Sequence, residues 1–334
     1  MAFTLTLEEK RERSPYYYFG PSKHAAAQTC LWTKKALFGE GYCYKMTFYG
    51  IQSHRCIQWS PCPTHCNFAC RFCWRDTALH SPEWDGPVDD AEILVEESIK
   101  AFNHLLNGYP GNPKTIPKRY AQSTDPLHTA ISLDGEPTLY PELPALIRAF
   151  HKRRITTFLV TNGSNPKMLR LLEEEKSLPT QVYISLSAWD EASFKAIQQP
   201  LQPGLWANYL ESLDVMRELP HDRRVLRMTL AKGLNITPES LDGFADIVKQ
   251  SGAEYVEVKS YTPVGKSRLR LGPNYAPTHE DMQSVAQTLA EKTGYQVTAE
   301  HKPSQVVLLC RDEKAKNNRM LKLRELCGAE RAFG

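Results

Sequence analysis

Between residues 55 and 261 the chain alternates short apolar runs with helical patterns, and this narrows the fold more than any other feature. Six runs read as strands: RCIQWS (55–60), HTAISL (128–133), ITTFLVT (155–161), QVYISLSA (181–188), RRVLRMTLA (223–231) and EYVEVKSY (254–261). They combine β-branched and aromatic residues with flanking turn residues. Helical patterns separate them. Val95, Ile99, Phe102 and Leu106 recur at helical spacing, and further helices are expected over 141–154, 166–176, 204–219 and 238–251. About six β/α units predict a mostly parallel sheet with helices outside it. Handed crossovers let such units curl into a barrel or part-barrel, whose chemistry gathers at the strand C-terminal ends.

Two segments stand outside the alternation. Residues 1–54 precede the first unit, and residues 107–127 form a Pro-rich stretch that reads as one long loop. Loops of that length are usually functional or disordered. No internal repeat or low-complexity tract accompanies them. The N-terminus lacks an apolar leader, and no run of eighteen apolar residues occurs, so a cytoplasmic protein with no membrane partner is expected.

In that compartment cysteines are thiols or metal ligands rather than disulfides. Nine are present, and seven of them, Cys30, Cys43, Cys56, Cys62, Cys66, Cys70 and Cys73, fall before residue 74. Buried structural thiols would scatter more widely. Cys66, Cys70 and Cys73 lie on one loop, CNFACRFC, directly after the first strand. Three soft thiolates can hold three corners of a [4Fe–4S] cubane and leave the fourth iron open to a small chelating molecule. Structural zinc normally takes four ligands, and Cys62 is available as the fourth, so a zinc knuckle is the rival at this point.

The spacing C-x3-C-x2-C, with Phe72 before the last cysteine, resembles the radical S-adenosylmethionine signature. That resemblance implies a [4Fe–4S] cluster on Cys66, Cys70 and Cys73, with S-adenosylmethionine chelated at its open iron. Gly135, Glu136 and Pro137 resemble the superfamily's GGEP motif, although Asp134 replaces its first glycine. Ser185 and Ser187, at the end of the fourth strand run, and Arg227 on the fifth are the expected ribose and carboxylate contacts. Arg227 would meet the methionine carboxylate in a charge-assisted bond.

Cys30, Cys43 and Cys56 form a second set of three, spaced C-x12-C-x12-C. Three unrelated buried thiols would explain them too, but two sets of three suggest two cubanes. Lys45 lies two residues from Cys43, with Tyr44, Phe48 and Tyr49 beside it. A lysine in an aromatic, water-poor site has a lowered pKa and can form a Schiff base with a carbonyl.

Taken together, CYKMTFYGIQSHRC (43–56), CNFACRFCW (66–74), DGEPTLYP (134–141), SLSAWD (185–190) and HKPSQVVLLCRD (301–312) resemble the 4-demethylwyosine synthase family. The resemblance implies a partial (β/α)6 TIM-like barrel of the radical S-adenosylmethionine type over 55–334. An N-terminal extension, 1–54, would contribute to the second cluster. It implies a lyase that converts N1-methylguanosine-37 of tRNA-Phe and pyruvate into 4-demethylwyosine. Cys30, Cys43 and Cys56 would hold the second [4Fe–4S] cluster, which chelates pyruvate, and Lys45 would form the Schiff base. With 334 residues the chain leaves no room for the flavodoxin-like domain of eukaryotic members. The match is therefore to the shorter archaeal type, and an external electron donor such as flavodoxin or ferredoxin is implied.

The net charge is only +3, so an RNA partner needs local basic patches. Lys114, Lys118 and Arg119 in the long loop, and Lys266, Arg268 and Arg270 after the sixth strand run, are the expected tRNA contacts. A radical activase or RNA methyltransferase, and a non-catalytic metal-stabilised RNA-binding protein, are the competing functions.

Overall fold

The computed structural model describes residues 6–328 and 330–331. Among them, ten strands form one mixed sheet. β1 (Tyr17–Phe19) and β2 (Ala25–Ala27) pair antiparallel at one edge, and β2 continues antiparallel onto β3 (Cys56–Ser60). β3 then begins a run of six parallel strands in chain order: β4 (His128–Ile131), β5 (Thr156–Thr161), β6 (Gln181–Leu186), β7 (Arg224–Met228) and β8 (Tyr255–Lys259). The last two strands, β9 (Gln296–His301) and β10 (Val306–Cys310), return antiparallel in the order β8-β10-β9. The ladder runs from β1 to β9 without closing. All six expected strands are present within two or three residues of their sequence limits.

The 1–54 extension is thus continuous with the sheet through β1 and β2. The 107–127 segment differs from the expected loop. It holds a 3-10 turn, Tyr109–Gly111, and a helix, Pro117–Ser123. Its prolines read as loop residues, but Pro117 stands in the first helical turn, where its missing N–H has no intrahelical partner to lose. Ile116 N donates to Leu37 O at 2.9 Å, which docks this helix on the extension.

Helices Ala91–Leu106, Leu143–Lys152, Pro166–Glu174, Leu205–Glu218 and Pro238–Ser251 cross between successive parallel strands. Leu146, Ile147, Phe150, Leu169, Leu172, Leu213, Met216, Phe244 and Val248 turn inward from them and are buried against one face of the sheet. Burying each such side chain contributes about 1.5–3 kcal/mol relative to leaving it exposed. This is the ordinary face of an α/β sheet.

The other face is more polar. Val160, Tyr183, Val225 and Tyr255 stand side by side across β5–β8, and one layer further along Ser185, Arg227 and Glu257 stand in register. The first layer packs with Ala130, Phe158, Val306 and Leu308 against the helix Tyr44–Tyr49 of the extension. No helix among the described residues is long and apolar enough to cross a membrane.

Candidate active site

The two cysteine trios occupy different positions about β3: Cys56 opens the strand, and the signature loop follows its end. Cys66, Cys70 and Cys73 lie on the loop that leaves the C-terminal end of β3. Backbone bonds fix this loop at several points: Cys66 N to Ser81 O (2.9 Å), Ala69 N to Gln199 O (3.0 Å), Arg71 N to Ile197 O (3.0 Å) and Cys73 N to Cys70 O (3.0 Å). Burial and neighbouring thiols push Cys66 and Cys70 well above the usual thiol range. Burial and the Asp134 carboxylate hold Cys73 at about 11. Three crowded thiols of this kind lose their protons to a metal centre and not to water, so the donor set fits a cluster.

The zinc rival needs Cys62 to join them. Instead the buried Cys62 thiol donates to Glu136 O at 3.2 Å, and its amide donates to Ser60 Oγ at 3.1 Å. Among the described residues, no three His, Cys, Asp or Glu side chains are grouped to hold a single metal ion.

Residues 134–137 form the wall beneath this loop. Gly135 has φ +75°, and a Cβ there would meet Cys62 O at 2.1 Å and His65 O at 2.7 Å, so only glycine fits. Glu136 N donates to His65 O at 2.7 Å. The buried Glu136 carboxylate accepts from Thr138 Oγ1 (2.6 Å), Thr161 Oγ1 (2.6 Å) and Asn162 N (2.7 Å). It therefore ties β4 to β5 and does not face a ligand. Pro137 is buried in the turn that follows. Asp134, the departure from the superfamily glycine, accepts from Tyr16 Oη at 2.8 Å and contacts His80 Nε2 at 2.9 Å. That residue anchors the extension to the motif.

Phe72 packs with Tyr261 and Leu271 beyond the end of β8. Ser187 Oγ is buried with no protein partner, an orphan hydroxyl of the kind a ligand satisfies. Ser185 is half-buried, and its carbonyl accepts from Tyr209 Oη at 3.2 Å.

The second trio lines a cavity of about 700 Å³ together with Lys45, Arg227 and Lys259. The regular spacing has a structural cause. Cys30 is the N-cap of helix Leu31–Phe38 and Cys43 the N-cap of helix Tyr44–Tyr49; Gly39 and Gly50 end them, and Cys56 opens β3. Burial raises both N-cap thiols above their ordinary value, and the first-turn amides of each helix offset it only in part. Cys43 N donates to Ser53 Oγ at 2.9 Å, and Thr33 Oγ1 to Ser53 O at 3.0 Å, which draws the two helix starts together. Burial pushes Cys43 to about 11 and Cys56 to about 12, with each raised further by other thiols of the set.

Lys45 is buried, its ammonium 4.6 Å from the Tyr183 ring centroid and 5.4 Å from that of Phe158. Burial lowers its pKa, Glu257 opposes that, and Arg227 adds to it. Lys259 is held at about 8, first by burial and then by Arg227. Glu257 has no exposed surface and accepts from Tyr44 Oη at 2.8 Å and Tyr49 Oη at 2.9 Å, both from the Lys45 helix. Arg227 Nε lies 4.0 Å from the same carboxylate. Arg227, expected at the methionine carboxylate, thus turns into the cavity of the second trio.

Sequence reasoning missed Glu257 and Lys259. The signal was present in EYVEVKSY: Tyr255, Glu257 and Lys259 alternate on one face of a central strand, where both faces should be apolar.

The basic residues divide. Arg119 Nη1 donates to Ala36 O at 2.7 Å and Nη2 to Tyr42 Oη, while Arg270 bonds the carbonyls of Arg71, Cys73 and Arg75. Both are half-buried and hold backbone carbonyls, and Arg268 Nε likewise donates to Pro263 O at 2.6 Å. Lys114, Lys118, Lys266 and Arg268 are exposed, with Lys114 3.4 Å from Glu40 and Lys266 3.3 Å from Asp76.

Residues 61–245 match the model of the radical SAM superfamily, and residues 250–311 match that of wyosine base formation. An S-adenosyl-L-methionine-dependent tRNA 4-demethylwyosine synthase of Pyrococcus abyssi is 43% identical over 87% of this chain and 85% of its own length. The chain belongs to the tRNA 4-demethylwyosine synthase family. The family's Methanocaldococcus jannaschii member is 33% identical over 89% of this chain and 94% of its own length. Among solved structures, TYW1 with a lysine–pyruvate adduct bound superposes with a TM-score of 0.81 at 31% identity, covering 96% of this chain and 99% of that one. Membership makes this protein a radical S-adenosylmethionine enzyme of wyosine tRNA modification, with a [4Fe–4S] cluster and S-adenosylmethionine as its cofactors.

Proposed function

We propose that the protein is a lyase that condenses pyruvate with N1-methylguanosine-37 of tRNA-Phe to form 4-demethylwyosine, in the cytoplasm and with an external donor such as flavodoxin or ferredoxin. Cys66, Cys70 and Cys73 would hold the first cluster, and Cys30, Cys43 and Cys56 a second [4Fe–4S] cluster. When bound, these groups supply one-electron cleavage of S-adenosylmethionine, a hydrogen-abstracting radical and an open iron for an α-keto acid. On this reading the boundary near residue 54 divides neither folding units nor roles, since β2 pairs with β3 and Cys56 of the second trio lies on β3.

The observation that carries the reading is the convergence of Lys45 with three thiols on one cavity. Even with Lys45 neutral, Arg227 and Lys259 face a single carboxylate, Glu257, a balance suited to an anionic substrate. The neutral Lys45 amine would attack the pyruvate carbonyl carbon, a C=N bond would form and water would leave. Tyr183 and Phe158 exclude water from the amine, and the lysine–pyruvate adduct of the related TYW1 structure supports the same chemistry here. Gly135 and the 134–137 turn would shape the floor beneath S-adenosylmethionine, with Ser187 offering its free hydroxyl.

The test is borohydride trapping with labelled pyruvate, followed by peptide mapping. Label on Lys45 is expected, with none in Lys45→Arg. Label on Lys259, or no label on the holoenzyme, would remove this role for Lys45. An activase or methyltransferase of the same superfamily would also give no pyruvate adduct.

A further inference from the structure

Trp74 directly follows the third cysteine of the signature and is 41% exposed, whereas Phe68 on the same loop is buried. Its backbone is fixed from three directions. Lys266 N donates to Trp74 O at 2.9 Å. Arg270 bonds the carbonyls of Cys73 and Arg75 on either side of it. Gly265 approaches so closely that a Cβ there would stand 2.2 Å from Trp74 O.

The ring is also backed. The Arg75 guanidinium lies 3.5 Å from the indole centroid. Arg75 is itself buried, with Nε donating to Leu133 O at 2.8 Å, Nη1 to Gln28 Oε1 at 3.3 Å, and the Tyr16 ring 4.9 Å away. Such a ring, held from behind and open to solvent, loses little freedom when a planar partner stacks on it. Arg71 precedes it by three residues, and Lys266, Arg268 and the 81% exposed Leu269 lie on the segment bonded to its carbonyl.

We infer that the open face of Trp74 is a stacking platform for an unpaired nucleobase of the tRNA anticodon loop, holding that loop beside Cys66, Cys70 and Cys73. The inference rests on the reading that tRNA is the substrate. The exposed indole backed by a guanidinium selects a nucleobase over an acidic redox protein, because only the nucleobase offers a planar π-face to stack on it; the flanking cations serve its phosphates. Aromatic stacking is sequence-tolerant and nearly independent of salt, whereas phosphate contacts from the exposed Lys266 and Arg268 would weaken as salt rises.

The test is tRNA affinity of the reconstituted protein at several salt concentrations, for wild type, Trp74→Ala, Trp74→Phe and Arg268→Ala. Trp74→Ala should weaken binding at least about fivefold at every salt concentration and leave the slope of log Kd against log salt unchanged. Trp74→Phe should restore most of the loss, and Arg268→Ala should flatten the slope. Wild-type affinity in Trp74→Ala overturns the platform alone. So does a loss that Trp74→Phe does not rescue and that tracks a lower melting temperature, because the Arg75 stack would then be structural only. No tRNA binding by the wild type overturns both the platform and the substrate reading.

Discussion

The surroundings of Lys45 are built from three neighbours that are remote in sequence, and its proposed role rests on them. The cysteine N-cap places it in the first helical turn, the inward face of β5 and β6 supplies Phe158 and Tyr183, and β8 supplies Glu257. Burial favours the neutral amine and Glu257 favours the ammonium. Only the neutral amine attacks a carbonyl, so the trapping rate should rise with pH and level off at the lowered pKa, below the ordinary lysine value. Glu257→Gln removes the carboxylate that favours the charged form and should move the plateau to still lower pH. A plateau at the ordinary lysine value would show that Lys45 is solvated during the reaction. Lys259→Met should retain the adduct, which separates the two buried lysines of the cavity. Lys45 was legible in the sequence because it lies two residues from a cysteine. Arg227 was legible as an inward-facing charge on a strand, but its strand position did not say that it lines the cavity of Cys30, Cys43 and Cys56.

At the scale of elements, each trio depends on a short piece of backbone that the chain holds rigidly. The signature loop is closed from below by residues 134–137 and from the side by Arg270. Gly135→Ala combines a left-handed φ, costing an L-residue about 1–2 kcal/mol, with a Cβ pressed against two backbone carbonyls that cannot swing aside. The expected result is a lower melting temperature and loss of the iron bound at Cys66, Cys70 and Cys73, with the second trio still loaded. Full iron in a stable Gly135→Ala protein would show that the loop is not set by this contact. The strands and crossover helices were readable because their periodicity is local. The helix Pro117–Ser123 was not, because tertiary docking through Ile116 and Leu37 stabilises a segment whose prolines suggest a loop. The roles of Arg119 and Arg270 were hidden for the same reason: composition shows charge, while only the fold shows which carbonyls the charge meets.

The whole molecule carries its polar chemistry on one face of the sheet and its apolar burial on the other, and the extension closes the polar face. That arrangement leaves several histidines buried. Burial lowers His24 and His54, and holds His128 at about 3 against an ordinary value of 6.5. For each of them the unfolded chain binds more protons than the folded chain at mildly acidic pH, so stability falls as pH falls below about 6.5. His128 alone accounts for a loss on the order of a few kcal/mol as pH approaches 3. Denaturant midpoints should therefore drop steadily between pH 7 and pH 4, and a flat profile would mean that these imidazoles are solvated. Iron and sulfide content after anaerobic reconstitution tests whether each cysteine trio carries a cubane. Two cubanes require about eight irons and eight sulfides per chain, falling to about four of each when Cys30, Cys43 and Cys56 are replaced by alanine. About four irons in both proteins would contradict the account, leaving the radical site in place and no second cluster beside Lys45.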